Sequence, residues 1–376
     1  MTDVTMDRED LRRAFLARSG FGQATRTPMS GDASTRAYER LTLPTGRSLI
    51  FMDAPPAAES EPATPDTTVE QRKVLGYNAL ARLAACRVDA FAGAAAWLRS
   101  LGLSAPEVEA VDVPGGFAVI EDLGDDLFAR RIEAGEAPTP LYEAALDIQL
   151  RLHAEPAPVW LSYEGGASYE GGRWPLLPYD YLALQTGCDL FLEWWPKFAN
   201  LPAFGPDVRA EWEALWAPIR AFGDAAANGP AGVFAHRDYH AENLLWLPGR
   251  SGLARVGLLD FQDAVKAHPA WDLLHLLQDA RRDVAPELER AMLERYLAAR
   301  PALDRDRFLL EYHGLAALNA SRILFIFARQ VAGFGKPRYT AFMPRTWRAL
   351  ERNLSTPGLE GLKGWFDRHV PPEARA

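Results

Sequence analysis

His236-Arg-Asp238-Tyr-His-Ala-Glu-Asn243, followed 17 residues later by Asp260-Phe-Gln-Asp263, is the stretch that organises the rest of the chain. Short apolar runs at 233–235 and 257–260 lead into the two segments and end in polar residues. These residue types suit phosphoryl transfer, in which a protein does little covalent work and must align an acceptor hydroxyl and neutralise triphosphate charge. Asp238 would accept the hydroxyl proton, while Asn243 and Asp260 would offer an amide oxygen and a carboxylate to Mg²⁺. Oxygen ligands suit this hard cation, which keeps waters and takes further ligands from phosphates. Five residues from Asp238 to Asn243 let one loop carry both a base and a metal ligand. Taken singly, an Asp in a loop is a turn former and a His is a structural residue; the ordered set is what carries information.

The chain has 376 residues, 48% hydrophobic and 24% charged, which is ordinary globular composition and argues for two domains or one two-lobed enzyme. Forty-one basic against 50 acidic residues give a net charge of −9, so no basic footprint invites nucleic acid or an anionic membrane. With two cysteines, Cys86 and Cys188, neither a disulfide framework nor a Cys-rich metal site is expected. The N-terminus lacks the apolar core of a signal peptide. The most apolar short run, 323–328, is bounded by Arg322 and Arg329 and is far shorter than the ~20 residues a bilayer span needs. A cytoplasmic protein with no obligate protein partner is the expectation. The sequence contains no G-x-x-x-x-G-K-[ST], no complete G-x-G-x-x-G, no H-E-x-x-H and no G-x-S-x-G.

Working outward, the polar first ten residues are expected to fray, and 12–17 to form one or two helical turns. Turn candidates at 31–36 and 44–47 separate short runs from Thr25 to Met52, which suggests an antiparallel meander. Helical patterns cover about 69–85 and 91–101, and 108–113 with 116–120 flank a Pro114-Gly115 turn as a hairpin. After Glu121-Asp-Leu-Gly124 most of the chain has helical periodicity, as at Leu146, Leu150 and His153, or Val284, Leu288, Met292 and Tyr296. The segment 244–256 reads as a hairpin with Pro248-Gly249 and Ser251-Gly252 in its turn.

The set H-R-D-x-x-x-x-N followed by D-F is the pattern of protein kinases. Together with Ala267-His-Pro-Ala-Trp-Asp272, it resembles the aminoglycoside phosphotransferase family, a relative of those kinases. Gly31-Asp-Ala-Ser-x-Arg36, Met52-Asp-Ala-Pro-Pro56, Glu121-Asp-Leu-Gly124 and Asp260-Phe-Gln-Asp263 narrow the likeness. They resemble the anomeric N-acetylmuramate/N-acetylglucosamine kinases of peptidoglycan recycling. The resemblance implies an α+β, two-lobed protein-kinase-like fold: a small antiparallel-sheet N-lobe, residues 1–121, that binds nucleotide, and a larger, mainly helical C-lobe, residues 122–376, with the catalytic loop and acceptor site. It implies ATP and Mg²⁺ as cofactors and transfer to the C1 hydroxyl of a small amino sugar. Asp238 is then the catalytic base, His236 and Asp272 support its loop, and Asn243 and Asp260 hold the metal.

The resemblance also puts the nucleotide phosphates under the first hairpin turn, where Gly31, Ser34, Thr35 and Arg36 supply donors, and the adenine edge near Glu121 and Leu123. Small residues let backbone amides approach an anion. One departure stands out: the third strand, Ser48-Leu-Ile-Phe-Met-Asp53, has no lysine to pair with the phosphates. Either another cation substitutes, with Arg36, Arg40 and Arg47 as candidates, or the phosphates are clamped more weakly, and Asp53 near phosphate would be repulsive unless it binds metal or turns away.

Around the acceptor, Asp263 would touch the sugar or brace the loop, and Tyr239 and His240 would flank the sugar. Trp174, Tyr179, Tyr181, Phe191, Trp194, Trp195 and Trp271 are numerous enough for a stacking platform, but large aromatics chiefly pack interiors. A lactyl-bearing sugar is anionic and would favour a cation such as Arg281, Arg282 or Arg322. The rival readings are an aminoglycoside or other small-alcohol kinase (choline- or homoserine-type), and a nucleotide-binding regulator without turnover.

Overall fold

Asp7 accepts the N–H of Asp10 at 2.8 Å and starts α1 (Arg8–Arg18), in a computed structural model that describes residues 7–29, 35–56 and 60–375. With a side-chain cap and acidic Glu9 and Asp10 in its first turn, α1 runs for 11 residues, longer than the one or two turns its sequence suggested. Met1 to Met6, the start of the segment expected to fray, lie outside the described residues.

The meander is present as β1 (Thr25–Pro28), β2 (Ala37–Thr42) and β3 (Ser48–Asp53). It is followed by α2 (Val69–Leu75), α3 (Tyr77–Ala81), α4 (Val88–Ser100) and the hairpin β4 (Val108–Asp112) and β5 (Phe117–Glu121). All five strands pair antiparallel in the order β1-β2-β3-β5-β4. Phe15 and Leu16 of α1 cover one face with Leu41, Leu49, Phe51, Phe117 and Val119, and the rings of Phe15 and Phe117 stack 5.4 Å apart. The single helix expected over 69–85 is broken. Gly76, at φ +94° and ψ −157°, takes a conformation that side chains resist, so it ends α2 and begins α3.

Asp53 solves the electrostatic problem its strand posed. It is buried, with 1% of its surface exposed, and its carboxylate accepts from Arg8 Nε at 3.0 Å and Arg12 Nε at 2.6 Å. Those arginines sit four apart on one face of α1. The buried carboxylate, flanked by two partly exposed guanidiniums, holds α1 to the third strand, and losing both arginines would leave a buried charge uncompensated.

The chain continues through α5 (Phe128–Glu133), α6 (Pro138–His153), the hairpin β6 (Trp160–Tyr163) and β7 (Gly172–Pro175), then α7 (Tyr181–Asp189), α8 (Phe191–Ala199) and α9 (Pro206–Asn228). Short strands β8 (Val233–Ala235), β9 (Leu244–Trp246), β10 (Val256–Leu258) and β11 (Val265–Ala267) follow. Next come α10 (Ala270–Leu277), α11 (Pro286–Ala299), α12 (Arg305–Ala332), α13 (Met343–Leu354) and α14 (Glu360–His369). The hairpin expected over 244–256 is the β9–β10 pair. The β6–β7 hairpin is new, and it packs on α4 so closely that a Cβ at Gly93 would lie 2.3 Å from the Leu161 carbonyl oxygen.

Contacts divide the chain into two compact units. The first gathers Met1–Ile148, Pro158–Leu177 and Ala241–Ala264; the second gathers Gln149–Ala157, Pro178–His240 and Val265–Ala376. The five-stranded sheet ends at Glu121, yet the first unit also takes α5, most of α6 and both the β6–β7 and β9–β10 hairpins.

In the second unit α12 packs against α7, α8, α9, α10 and α13. Phe191 stacks on Trp195 and Trp212, with Trp347 and Phe366 edge-on to it. Phe191, Trp195, Tyr179 and Trp271 are buried there, and Trp174 in the first unit is buried too. The run 323–328 is thus part of a 28-residue helix, long and apolar enough by length and composition to cross a membrane, although 61% of its apolar window is buried within the protein. A core helix passes the same test of length and composition.

Candidate active site

In the second unit, β8 pairs antiparallel with β11 and delivers residues 236–240 from its end. His268 Nδ1 accepts the N–H of Ala270, and Pro269 caps α10, which places Asp272 in the first turn of that helix. The Asp272 carboxylate accepts the backbone N–H of His236 at 2.7 Å and of Arg237 at 2.8 Å, with Gln149 Nε2 at 3.4 Å. These bonds hold Arg237 at φ +79°, a left-handed conformation for which a side chain costs about 1–3 kcal/mol. The Arg237 guanidinium lies over the Tyr179 ring, 4.8 Å from its centroid. His236 is buried, its Nδ1 accepts the Asp238 N–H at 3.4 Å, and its ring meets Tyr239 edge-on.

The backbone so fixed presents Asp238 with half of its side-chain surface open to solvent. Burial of the carboxyl would raise its pKa, but the charges of His240, His275, Arg322 and Arg281 outweigh this and bring it down to about 2. His275 Nδ1 lies 3.9 Å from Asp238 Oδ1. Burial pushes the His275 imidazole down to about 3, so at neutral pH it carries no charge, and the guanidiniums of Arg322 and Arg281 remain. Tyr239 is fully buried; His240 is 7% exposed and accepts from Arg281 Nη1 at 2.8 Å through its Nε2. The sequence reading missed His275, although its spacing of three from Asp272 puts both on one side of α10.

In the first unit, Ala241 accepts the N–H of Ala129, and Asn243 accepts the backbone N–H of Leu259 at 3.0 Å, which ties it to the end of the β9–β10 hairpin. Asp260 follows at φ +62°. Its Oδ1 accepts from Arg36 Nη2 at 2.9 Å and Gln262 Nε2 at 3.1 Å, while Oδ2 has no partner among the described residues. Phe261 anchors the turn by stacking on Phe91 at 4.8 Å. The Asp263 carboxylate accepts the N–H of Ala84 at 2.6 Å, in the loop between α3 and α4. Thr35 Oγ1 lies 3.3 Å from Cys86 Sγ, and Gly31 and Ser34 lie outside the described residues. Glu121 accepts the N–H of Glu107 at 3.2 Å and pairs with Arg250, while Leu123 touches the place a Cβ would take at Gly257. Of the candidate replacements for the missing lysine, Arg40 pairs with Asp122 and Asp125, Arg47 pairs with Glu109, and Arg36 alone of the three reaches Asp260.

An exposed oxygen on Asp260 and the amide of Asn243 are hard donors, and their chemistry fits Mg²⁺. No cluster of three His, Cys, Asp or Glu side chains able to hold a metal occurs among the described residues, so any ion would draw further ligands from water and phosphate.

The role of Asp272 has a measurable signature. Burial raises its carboxyl to about 7 against the pull of the two backbone N–H groups. A proton is therefore bound more tightly in the folded chain than in the unfolded one, where the value is about 3.9. The unfolded state loses that proton first as pH rises, so this group's contribution to stability is full below pH 4 and drains away towards pH 7. Asp272→Asn removes the titration and leaves one backbone N–H facing an amide donor, a loss of about 1–3 kcal/mol. The variant should unfold at lower urea than the wild type at pH 5, with the gap narrowing at pH 8. A gap constant with pH would show that Asp272 does not titrate in this way.

The sequence pattern of the phosphotransferase enzyme family (APH) matches residues 25–309, and the chain belongs to that family. Over 372 residues, 99% of each chain, it is 58% identical to the N-acetylmuramate/N-acetylglucosamine kinase of Caulobacter vibrioides. It is 28% identical to the protein of that name from Pseudomonas aeruginosa, over 91% of this chain and 88% of that one. Among solved structures it is similar to an ethanolamine kinase of Plasmodium vivax, with a TM-score of 0.52 and 11% identity over 94% of this chain and 91% of that one. The fold is α+β and protein-kinase-like, with a small antiparallel sheet and a mostly helical remainder.

Proposed function

We propose that this chain is an ATP-dependent kinase that phosphorylates N-acetylmuramate and N-acetylglucosamine at the anomeric C1 hydroxyl. The observation that carries the reading is the 58% identity to a kinase of that name across 99% of both chains. The sugar 1-phosphate would enter the making of UDP-linked peptidoglycan precursors, as recycling requires.

Asp238 orients the C1 hydroxyl and takes its proton as the oxygen attacks. An anomeric hydroxyl is more acidic than an ordinary alcohol, so a carboxylate suffices. Asp272 and His236 fix the loop that presents Asp238. Asn243 and Asp260 would hold Mg²⁺, which when bound neutralises phosphate charge and sets the phosphoryl group for in-line transfer. Arg36, bonded to Asp260, supplies the cation that the third strand lacks. Thr35 donates to the phosphates, and the backbone near Glu121 and Leu123 meets adenine. Nucleotide handling is assigned to residues 1–121 and acceptor handling to 122–376.

Acceptor-dependent ADP release from Mg-ATP tests the reading. N-acetylmuramate and N-acetylglucosamine should each stimulate release, and NMR should show phosphate on C1. Kanamycin, a polycation, should not. Stimulation by kanamycin alone would overturn the substrate, and the absence of ADP release with every acceptor would favour a regulator without turnover.

A further inference from the structure

The carboxylate expected to receive a neutral hydroxyl group stands in an unusually positive setting. Within the second unit, Arg322 and Arg281 both act on Asp238, and they keep their charge at any physiological pH. For the base alone this is counterproductive, since nearby cations lower its affinity for a proton.

The structure also goes to some length to install them. Arg322 is the sole formally charged residue of α12 between Glu311 and Arg329, in the apolar stretch that packs the core. Its stem runs across α7 at Gly187, where a Cβ would come within 3.1 Å of Arg322 Cδ, and its Nη1 donates to Asn319 Oδ1 at 3.3 Å. Arg281 Nη1 lies 2.8 Å from His240 Nε2, and Nδ1 of that 7%-exposed ring has no hydrogen-bond partner among the described residues. An unpartnered ring nitrogen beside the Asp238 loop is free to meet a ligand atom or a water. Arg282, the third cation in this region, faces Asp279 at 3.3 Å.

We infer that Arg281 and Arg322 are specificity-determining residues that bind a carboxylate on the acceptor sugar, with His240 positioning Arg281 and offering a further donor. The inference rests on the amino-sugar kinase reading and adds to it the groups that favour an acidic acceptor. N-acetylmuramate and N-acetylglucosamine differ by a lactyl ether, so the pair isolates the carboxylate.

The test measures kcat and KM for both sugars at saturating Mg-ATP, using the full chain and its Arg322→Met, Arg322→Lys and Arg281→Met variants. Losing a charged hydrogen bond to the lactyl group should raise KM for N-acetylmuramate about 10–100-fold more than KM for N-acetylglucosamine. Arg322→Lys should recover part of the loss. If both sugars lose equally in kcat/KM, the arginines serve Asp238 or the transferred group, and the inference is overturned while the kinase reading stands. If the wild type phosphorylates neither sugar, both fall. Arg281 is exposed, so its variant keeps the test decisive if the Arg322 variants fold poorly.

Discussion

Asp238→Asn should lose about 10²–10⁴ in kcat, the usual worth of a positioned acid–base group, while Mg-ATP binding stays near that of the wild type. The amide keeps the shape and one acceptor oxygen but cannot take the proton of the attacking hydroxyl. With its pKa brought down to about 2, Asp238 is ionised throughout the range in which the enzyme would be assayed. It is accordingly a weak base, suited to a reaction in which the proton leaves late and orientation does most of the work. The acid limb of the wild-type kcat profile should therefore show no titration of Asp238 above about pH 3. Single-turnover kinetics beside nucleotide titration separate the two effects. Residual turnover within threefold of wild type would remove Asp238 from the reaction.

The second large effect is expected at Arg36. Arg36→Met removes the guanidinium that bonds Asp260 and should lower kcat/KM for ATP by about 10²–10³, the scale seen when one charge-stabilising donor is deleted from an active site. Arg40→Met and Arg47→Met remove cations already paired with Asp122, Asp125 and Glu109, so their effects should stay within a few-fold. The three variants assayed side by side decide the matter. A loss at Arg40 or Arg47 equal to that at Arg36 would mean that no single arginine stands in for the lysine.

The loop chemistry was legible because it depends on residue types at fixed spacing along one stretch of chain. His236, Asp238, Asn243 and Asp260 announce themselves in order, and short runs separated by Pro and Gly turns announce the meander and the β9–β10 hairpin. Features set by distant packing were not legible. The β6–β7 strands are four residues each beside a glycine-rich loop, and what makes them strands is their seat on α4, where Gly93 leaves room for Leu161. Gly76 falls inside the helical pattern over 69–85, and only its backbone angles show that it separates two helices. The partners of Asp53 lie 45 and 41 residues upstream, so sequence alone gave the charge without its counterweight. Asp263 could be read either as an acceptor contact or as a brace, and its bond to the Ala84 amide was invisible because loop-to-loop hydrogen bonds leave no periodic trace.

The arrangement at Asp53 bears on any attempt to retrofit this enzyme with the lysine common among kinases. An ammonium introduced at position 53 would meet two arginines already committed to that spot, so repulsion would pry the first helix from the sheet instead of strengthening the grip on nucleotide. Reversal would need coordinated changes at 8, 12 and 53. Intermediates carrying only one or two of them would strand an ion in the interior, which makes the acidic strand a one-way choice.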